Sequence, residues 1–183
     1  MSQLTLEIAD QVVAVCRENA AALAKTVSTA LDVELELALG EPQTLDGTAL
    51  PDELEGPALA TILTFGEVGA IVLLPAASGL IPAWCESPDR AGESKLATLA
   101  EEFGSLLMPD QFVADRFSTA RVETAHDALS SGGVADQVVM VPFLATCGEK
   151  SGKLSLIWPL SRPESALSGA SRPAKCVASS ASR

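Results

Sequence analysis

Two short spacings carry the polar side chains best placed for chemistry. Glu102 and Ser105 lie three residues apart, with Thr98 four residues upstream, and Cys16 and Asn19 are likewise three apart. Positions three or four apart share one helix face, so in each set the side chains project together. An acid beside an amide or hydroxyl can anchor a cation and orient a water. Each residue also has an ordinary reading. Asn19 is a polar residue at the edge of a helix. Glu102, beside Glu101, belongs to a solvated acidic face. Cys16 falls on an apolar stripe as a small buried hydrophobe, and Pro42 is a loop proline. His126 is the one histidine, which argues against a histidine metal cluster and against a Ser-His-Asp triad. Next to Asp127 and ahead of a glycine-rich stretch, it reads as a turn residue.

The elements that must position these residues follow from periodicity. Apolar residues Ala9, Val12, Val13, Cys16, Ala20, Leu23, Val27 and Ala30 recur at three and four, which predicts a helix over Leu6 to Leu31. Val33 to Leu37 alternates strictly and predicts a half-buried strand, with Glu34 and Glu36 in water. Gly40 to Pro57 reads as an acidic loop. Ala58 to Phe65 and Val68 to Leu74 are apolar runs joined by Gly66-Glu67, a hairpin signal. After a loop from Gly79 to Gly92, a second helix is predicted from Glu93 to about Phe117, kinked or split at Pro109. A strand over Ala120 to Thr124, a loop through Gly132-Gly133, and strands over Asp136 to Thr146 and Lys153 to Trp158 complete the body.

Helix, strand, loop and hairpin thus occur twice. Leu73-Leu74-Pro75 and Ile157-Trp158-Pro159 end the two copies, their prolines 84 residues apart. The expectation is a single α+β domain over residues 1–160, built of two pseudo-symmetric halves at about 4–78 and 93–160. Each half is a long helix followed by about three antiparallel strands. From Ser161 the chain turns to Ser, Ala, Arg and Pro without periodicity. A disordered tail over 161–183 is expected, net +3 from Arg162, Arg172, Lys175 and Arg183 against Glu164.

Composition bounds the class. The 183 residues are 48% hydrophobic and 20% charged, enough apolar content for one core. Twelve Lys and Arg against 24 Asp and Glu give a net charge of −12. That argues against binding nucleic acid or an anionic membrane, where cations supply the affinity. Val68 to Cys85 is uncharged but broken by Pro75 and Pro82, so it reads as strand and loop and no membrane insertion is expected. The N-terminus lacks the basic region of a signal peptide. Cys16, Cys85, Cys147 and Cys176 are widely spaced with no CxxC, which fits free thiols in a reducing compartment. No metal or other cofactor is expected.

The stretch Leu99-Ala100-Glu101-Glu102-Phe103-Gly104-Ser105-Leu106-Leu107-Met108 resembles the Glu-Ile-Gly-Asn-Ile-Leu helix of the CheC, CheX and FliY chemotaxis phosphatases. Val141-Pro142-Phe143 through Gly148, Gly152, Leu154, Leu156 and Pro159 resembles that family's closing hairpin and the related FliM middle domain. The resemblance covers about Leu4 to Pro159. It implies the duplicated fold and a cytoplasmic protein at the inner face of the flagellar motor or in chemotaxis signalling. The implied partners are a CheY-type receiver, flagellar switch proteins or a second copy of the chain.

In that family the pattern is Asp or Ser, then Glu, then Asn, with a later Pro. The resemblance implies that the Asn orients water for attack on a receiver's aspartyl-phosphate while the Glu anchors a receiver lysine. Because the receiver brings metal and phosphoryl group, positioning is most of what the phosphatase supplies. Mapped onto this chain, the candidate catalytic residues are Glu102, Ser105 and Asn19, and the candidate binding residues are Thr98, Cys16 and Pro42. The chain departs from the pattern in both halves. Asn19 and Pro42 are present, but Cys16 stands for the Glu and Val12 for the Asp or Ser. Glu102 is present, but Ser105 stands for the Asn and Ala128 for the Pro. The expectation is an adaptor with a degenerate phosphatase pair. The alternatives are an active receiver phosphatase with a divergent site and, from another class, an acidic secretion chaperone with an open apolar groove.

Overall fold

The computed structural model describes residues 8–47, 56–66, 68–76, 79–81, 83–86, 89–108 and 114–166. Its elements in chain order are α1 (Ala9–Leu31), β1 (Glu36–Leu39), β2 (Gln43–Asp46), β3 (Ala58–Phe65), β4 (Val68–Pro75), a 3-10 turn (Ala83–Glu86), α2 (Arg90–Leu107), β5 (Arg116–Val122), α3 (Ala125–Ser131), β6 (Val134–Cys147), β7 (Lys150–Leu160) and a last 3-10 turn (Pro163–Ser165). The α+β class and the two long helices follow the sequence. So does the hairpin of β3 and β4.

The sheet is antiparallel throughout and runs β1-β6-β7-β4-β3-β5, with β2 also on β6. This order makes the duplication physical. Each half donates its hairpin to the middle, β3 with β4 and β6 with β7. Each half's first strand then crosses to the other half's hairpin, β1 and β2 onto β6 and β5 onto β3. The two halves are therefore interleaved, and neither could close its sheet alone. A pseudo-twofold axis passes between β4 and β7, where Val72 pairs with Leu156, residues 84 apart. Ile71 opposite Ile157 and Leu73 opposite Ser155 flank it. The hairpins also match at their turns. Phe65 pairs with Val68 and Cys147 with Lys150, each leaving two residues between. Gly66 and Gly148 open those turns at φ 71° and 61°, the left-handed values a tight hairpin needs.

Both sheet faces are covered, which explains why β3 and β4 read as unbroken apolar runs. On one face Leu59, Leu63, Val72, Phe143, Leu156 and Trp158 meet Val12, Leu23, Val27, Leu99, Phe103 and Leu107 of α1 and α2. On the other, Ala60, Ile62, Ile71, Leu73, Met140 and Ile157 meet Ala125, Ala128 and Leu129 of α3, with Ala166.

Several boundaries move. The first strand is β1 at Glu36–Leu39, later than Val33 to Leu37, because Ser28 turns the chain out of α1. Its hydroxyl donates to the Ala24 carbonyl at 2.6 Å and accepts from the Leu35 N–H at 3.1 Å. The region expected as loop after Gly40 contains β2, and the loop before Gly132 contains α3. The second helix starts earlier, at Arg90, because Asp89 caps it by accepting from the Gly92 N–H at 2.8 Å. It ends at Leu107; Pro109 lies outside the described residues. Arg116 and Phe117 belong to β5 rather than to that helix. The final hairpin extends to Cys147 and Lys150, so the six residues from Cys147 to Gly152 left between the two predicted strands shrink to a two-residue turn. Packed chain also runs past Ser161. Ser161 and Arg162 donate their N–H groups to Gly133 and Gly132 carbonyls, and Ala166 is buried. Residues 167–183 of the expected tail, and the expected start of the first helix at Leu6, lie outside the described residues.

Candidate functional site

The candidate residues on the helices converge because α1 and α2 pack antiparallel across the helical face of the sheet. Cys16 and Asn19 of α1 reach the C-terminal end of α2. The Asn19 side-chain amide donates to the Leu106 carbonyl at 3.0 Å, and the Cys16 thiol donates to the Leu107 carbonyl at 3.6 Å. The last four carbonyls of a helix have no partner within it, so α1 supplies two of the missing donors. Asn19 is half-buried and lies against the residue following Ser105. Cys16 is fully enclosed, and burial pushes its thiol up from 9.0 to about 12. It is a neutral donor inside the core.

Further along the pair the helices part. Lys25, Thr26, Thr29 and Ala30 of α1 face Ser94, Lys95, Thr98, Leu99 and Glu102 of α2 across a groove of about 400 Å³. Glu102 is half-buried on one wall and Lys25 is exposed on the other. Neither has a charged partner among the described residues. Lys95 closes one end of the groove. It pairs with Asp32 at 2.8 Å and lies 5.6 Å from the centre of the Trp84 ring. Asp32 caps α1 in the left-handed conformation, so this lysine ties the end of one helix to the other.

The structure thus brings together Thr98 and Glu102 in the groove, and Cys16 and Asn19 at the helix seam. Ser105 is exposed on α2, one turn beyond Glu102. Pro42 does not join them; it is exposed between β1 and β2 at the sheet edge. His126 sits in α3, on the opposite face of the sheet from the groove. Glu36 on β1 and Glu34 just before it are both exposed, as expected. Lys25, Lys95, Thr26, Thr29 and Ser94 were missed by the sequence reading. Their signal was available as polar stripes at three and four, Lys25 with Thr29 and Ser94 with Thr98. Nothing local shows that the two stripes face one another.

The motif resemblance sets Cys16 against Glu102, and the two differ: Cys16 is sealed in the core and Glu102 lines an open groove. The 84-residue repeat of the sheet instead sets Cys16 against Ala100, which is buried as well. Among the described residues there is no cluster of three or more His, Cys, Asp and Glu able to hold a metal, and no helix is long and apolar enough to cross a membrane.

No family model matches the chain, and no curated protein matches it in sequence. Solved structures do match it. The FliM chain of a FliG–FliM complex from H. pylori aligns over 90% of this chain and 100% of its own length, with a TM-score of 0.59 at 15% identity. The fold is that of the FliM middle domain. The H. pylori FliM middle domain alone gives 0.55 at 14% identity, over 91% and 99% of the two chains. FliY from Thermotoga maritima gives 0.52 at 12% identity, over 91% and 97%. The architecture expected from the duplicated sequence is therefore the FliM-middle-domain and FliY architecture across the body of the chain.

Proposed function

We propose that the protein is a component of the flagellar motor switch or of chemotaxis signalling, an adaptor whose phosphatase pair is incomplete. The fold shared with the FliM middle domain and FliY supports the coarse reading, and one of those FliM structures is a complex with FliG. The adaptor reading rests on what the helix positions do. Asn19 commits one of its two amide hydrogens to the Leu106 carbonyl, and Cys16, in the place of the acid, is buried and protonated. On α2 the acid is present as Glu102, but its partner is Ser105, a shorter side chain with one donor instead of an amide's two. Neither helix carries an acid three residues ahead of an asparagine. What remains is a groove with Glu102 and Lys25 on opposite walls, suited to docking a charged surface. The docked partner is a CheY-type receiver or a switch subunit.

The test is phosphate loss from a phosphorylated CheY-type receiver, with and without the protein, with binding followed in the same experiment. The adaptor reading expects binding without faster loss. Catalytic loss at substoichiometric protein would overturn it in favour of a divergent phosphatase, and Glu102→Ala and Asn19→Ala would then locate the site.

A further inference from the structure

The groove between α1 and α2 holds two opposite charges that do not meet. Asn19 reaches Leu106 at one end of the antiparallel pair, and Asp32 reaches Lys95 at the other. Lys25 therefore lies at about the level of Glu101, within one turn of Glu102 on the facing wall. Each still lacks a charged partner among the described residues. Further along, Thr29 and Thr98 stand on opposite walls, their hydroxyls without a partner among the described residues. Ala30 and Leu99, both buried, make an apolar floor. The far end is closed by Lys95, held between Asp32 and the Trp84 ring. From Glu102 back to Lys95 the helix runs about 10 Å. Beneath the floor lies a void of about 10 Å³ among Val27, Leu59, Phe103, Leu154 and Thr61. Its lining is apolar apart from Thr61, whose hydroxyl is already paired with that of Thr119 at 2.9 Å. Leu99 lines both spaces and separates them.

We propose that this groove binds a small zwitterion with an apolar chain, the chemical class of the apolar α-amino acids. The ligand carboxylate meets Lys25 and its ammonium meets Glu102, each a charge-assisted hydrogen bond. A purely anionic ligand would face Glu102 unpaired, and a purely cationic one would leave Lys25 so; both walls are matched only by a ligand carrying both charges. The Thr29 and Thr98 hydroxyls can donate to the carboxylate. The apolar chain lies along Ala30 and Leu99 toward Lys95. A groove of about 400 Å³ falls at the lower end of the range for small-molecule sites. The terminus of a peptide brings one of the two charges and not the other, so the pair favours a free amino acid. The inference goes beyond the docking reading. A bound zwitterion would occupy the two charges which that reading leaves to a protein partner, so the two occupants exclude one another.

The experiment is an amide-resolved NMR titration of the full chain with leucine. It needs no protein partner, so its failure leaves the docking reading standing. Saturable shifts centred on Thr29, Thr98 and Leu99 are expected. Two controls use the unaltered chain. Isocaproate, which is leucine without its ammonium, and isopentylamine, which is leucine without its carboxylate, should each bind about tenfold more weakly or worse. Glu102→Gln and Lys25→Met should each weaken leucine by about tenfold, and Glu102→Gln should also abolish the preference for leucine over isocaproate. Leu99→Ala would join the void to the groove and should move the preference from leucine to phenylalanine. The absence of saturable shifts with leucine, phenylalanine and methionine overturns the proposal. So do shifts confined to residues outside the groove, isocaproate binding as tightly as leucine, or leucine binding unchanged by Glu102→Gln. Binding of a peptide with internal Lys and Glu, where no free amino acid binds, would overturn it in favour of a protein occupant.

Discussion

The Asn19 amide donates to the Leu106 carbonyl at 3.0 Å, so a side chain of the first helix holds the last turn of the second. The partners are 87 residues apart in sequence and come from different halves of the repeat. The contact makes Asn19 a structural donor. Asn19→Ala should cost about 1 kcal/mol in urea unfolding, the usual worth of one such bond. Asn19→Asp should cost more, since a carboxylate there faces a carbonyl at the negative end of α2. Equal stability in all three proteins would show that the amide is free for other work.

Cys16 makes a prediction about alkaline pH. Its folded-state value of about 12 exceeds the 9.0 of an unperturbed thiol, so the folded protein keeps a proton that the unfolded chain releases. Its contribution to stability is complete below pH 9 and is lost between about pH 9 and 12, at about 1.4 kcal/mol per pH unit. Cys16→Ala should flatten the fall in melting temperature over that range. Alkylation of the native protein at pH 8 should mark half-exposed Cys147 well before buried Cys16 and Cys85.

Restoring the acid at position 16 should not restore a phosphatase. Cys16→Glu would put a carboxylate against the Leu107 carbonyl in a closed core and should destabilise the fold by about 3 kcal/mol or more. The measurement is chemical unfolding. A folded Cys16→Glu protein of unchanged stability would mean that the seam opens more readily than its packing implies.

Glu102 and Lys25 should act on binding and not on folding. Both line the groove and neither holds a charged partner among the described residues. Glu102→Ala and Lys25→Glu should shift the melting temperature little, while each weakens binding to the receiver or switch subunit by about tenfold, the range of one charge-assisted contact. Titration against that partner, with thermal melts as control, checks both. Unaltered binding in both variants would move the docking surface away from the groove.

Gly69 tests the packing of the chain beyond Ser161. A Cβ at this position would run into the Pro163 ring and the Leu63 carbonyl. Gly69→Ala should therefore cost about 1–3 kcal/mol, the range for overpacking a closed core. A truncation after Ser161 that also removes Pro163 should lessen that cost in the same unfolding assay.

Much of the architecture was legible in the sequence because it is written in local periods. The three-and-four spacing from Val12 to Ala30 marks α1, and Leu96, Leu99 and Phe103 mark α2. The apolar runs of β3 and β4 meet at Gly66, and the 84-residue repeat of the prolines announces the pairing of Val72 with Leu156. What escaped has no local period to show. β2 is four mostly exposed residues paired with β6, more than 90 residues on. α3 is seven residues held by burying Ala125, Ala128 and Leu129 under the sheet. The site divides in the same way. The sequence placed Glu102 and Thr98 on one helix face, and Cys16 and Asn19 on another. Only the antiparallel packing of α1 on α2 decided that Glu102 opens onto a groove facing Lys25 while Cys16 is sealed against Leu107. A helix period states which residues share a face; which face meets solvent and which meets another helix depends on partners distant in the chain, and those are set when the interleaved sheet closes.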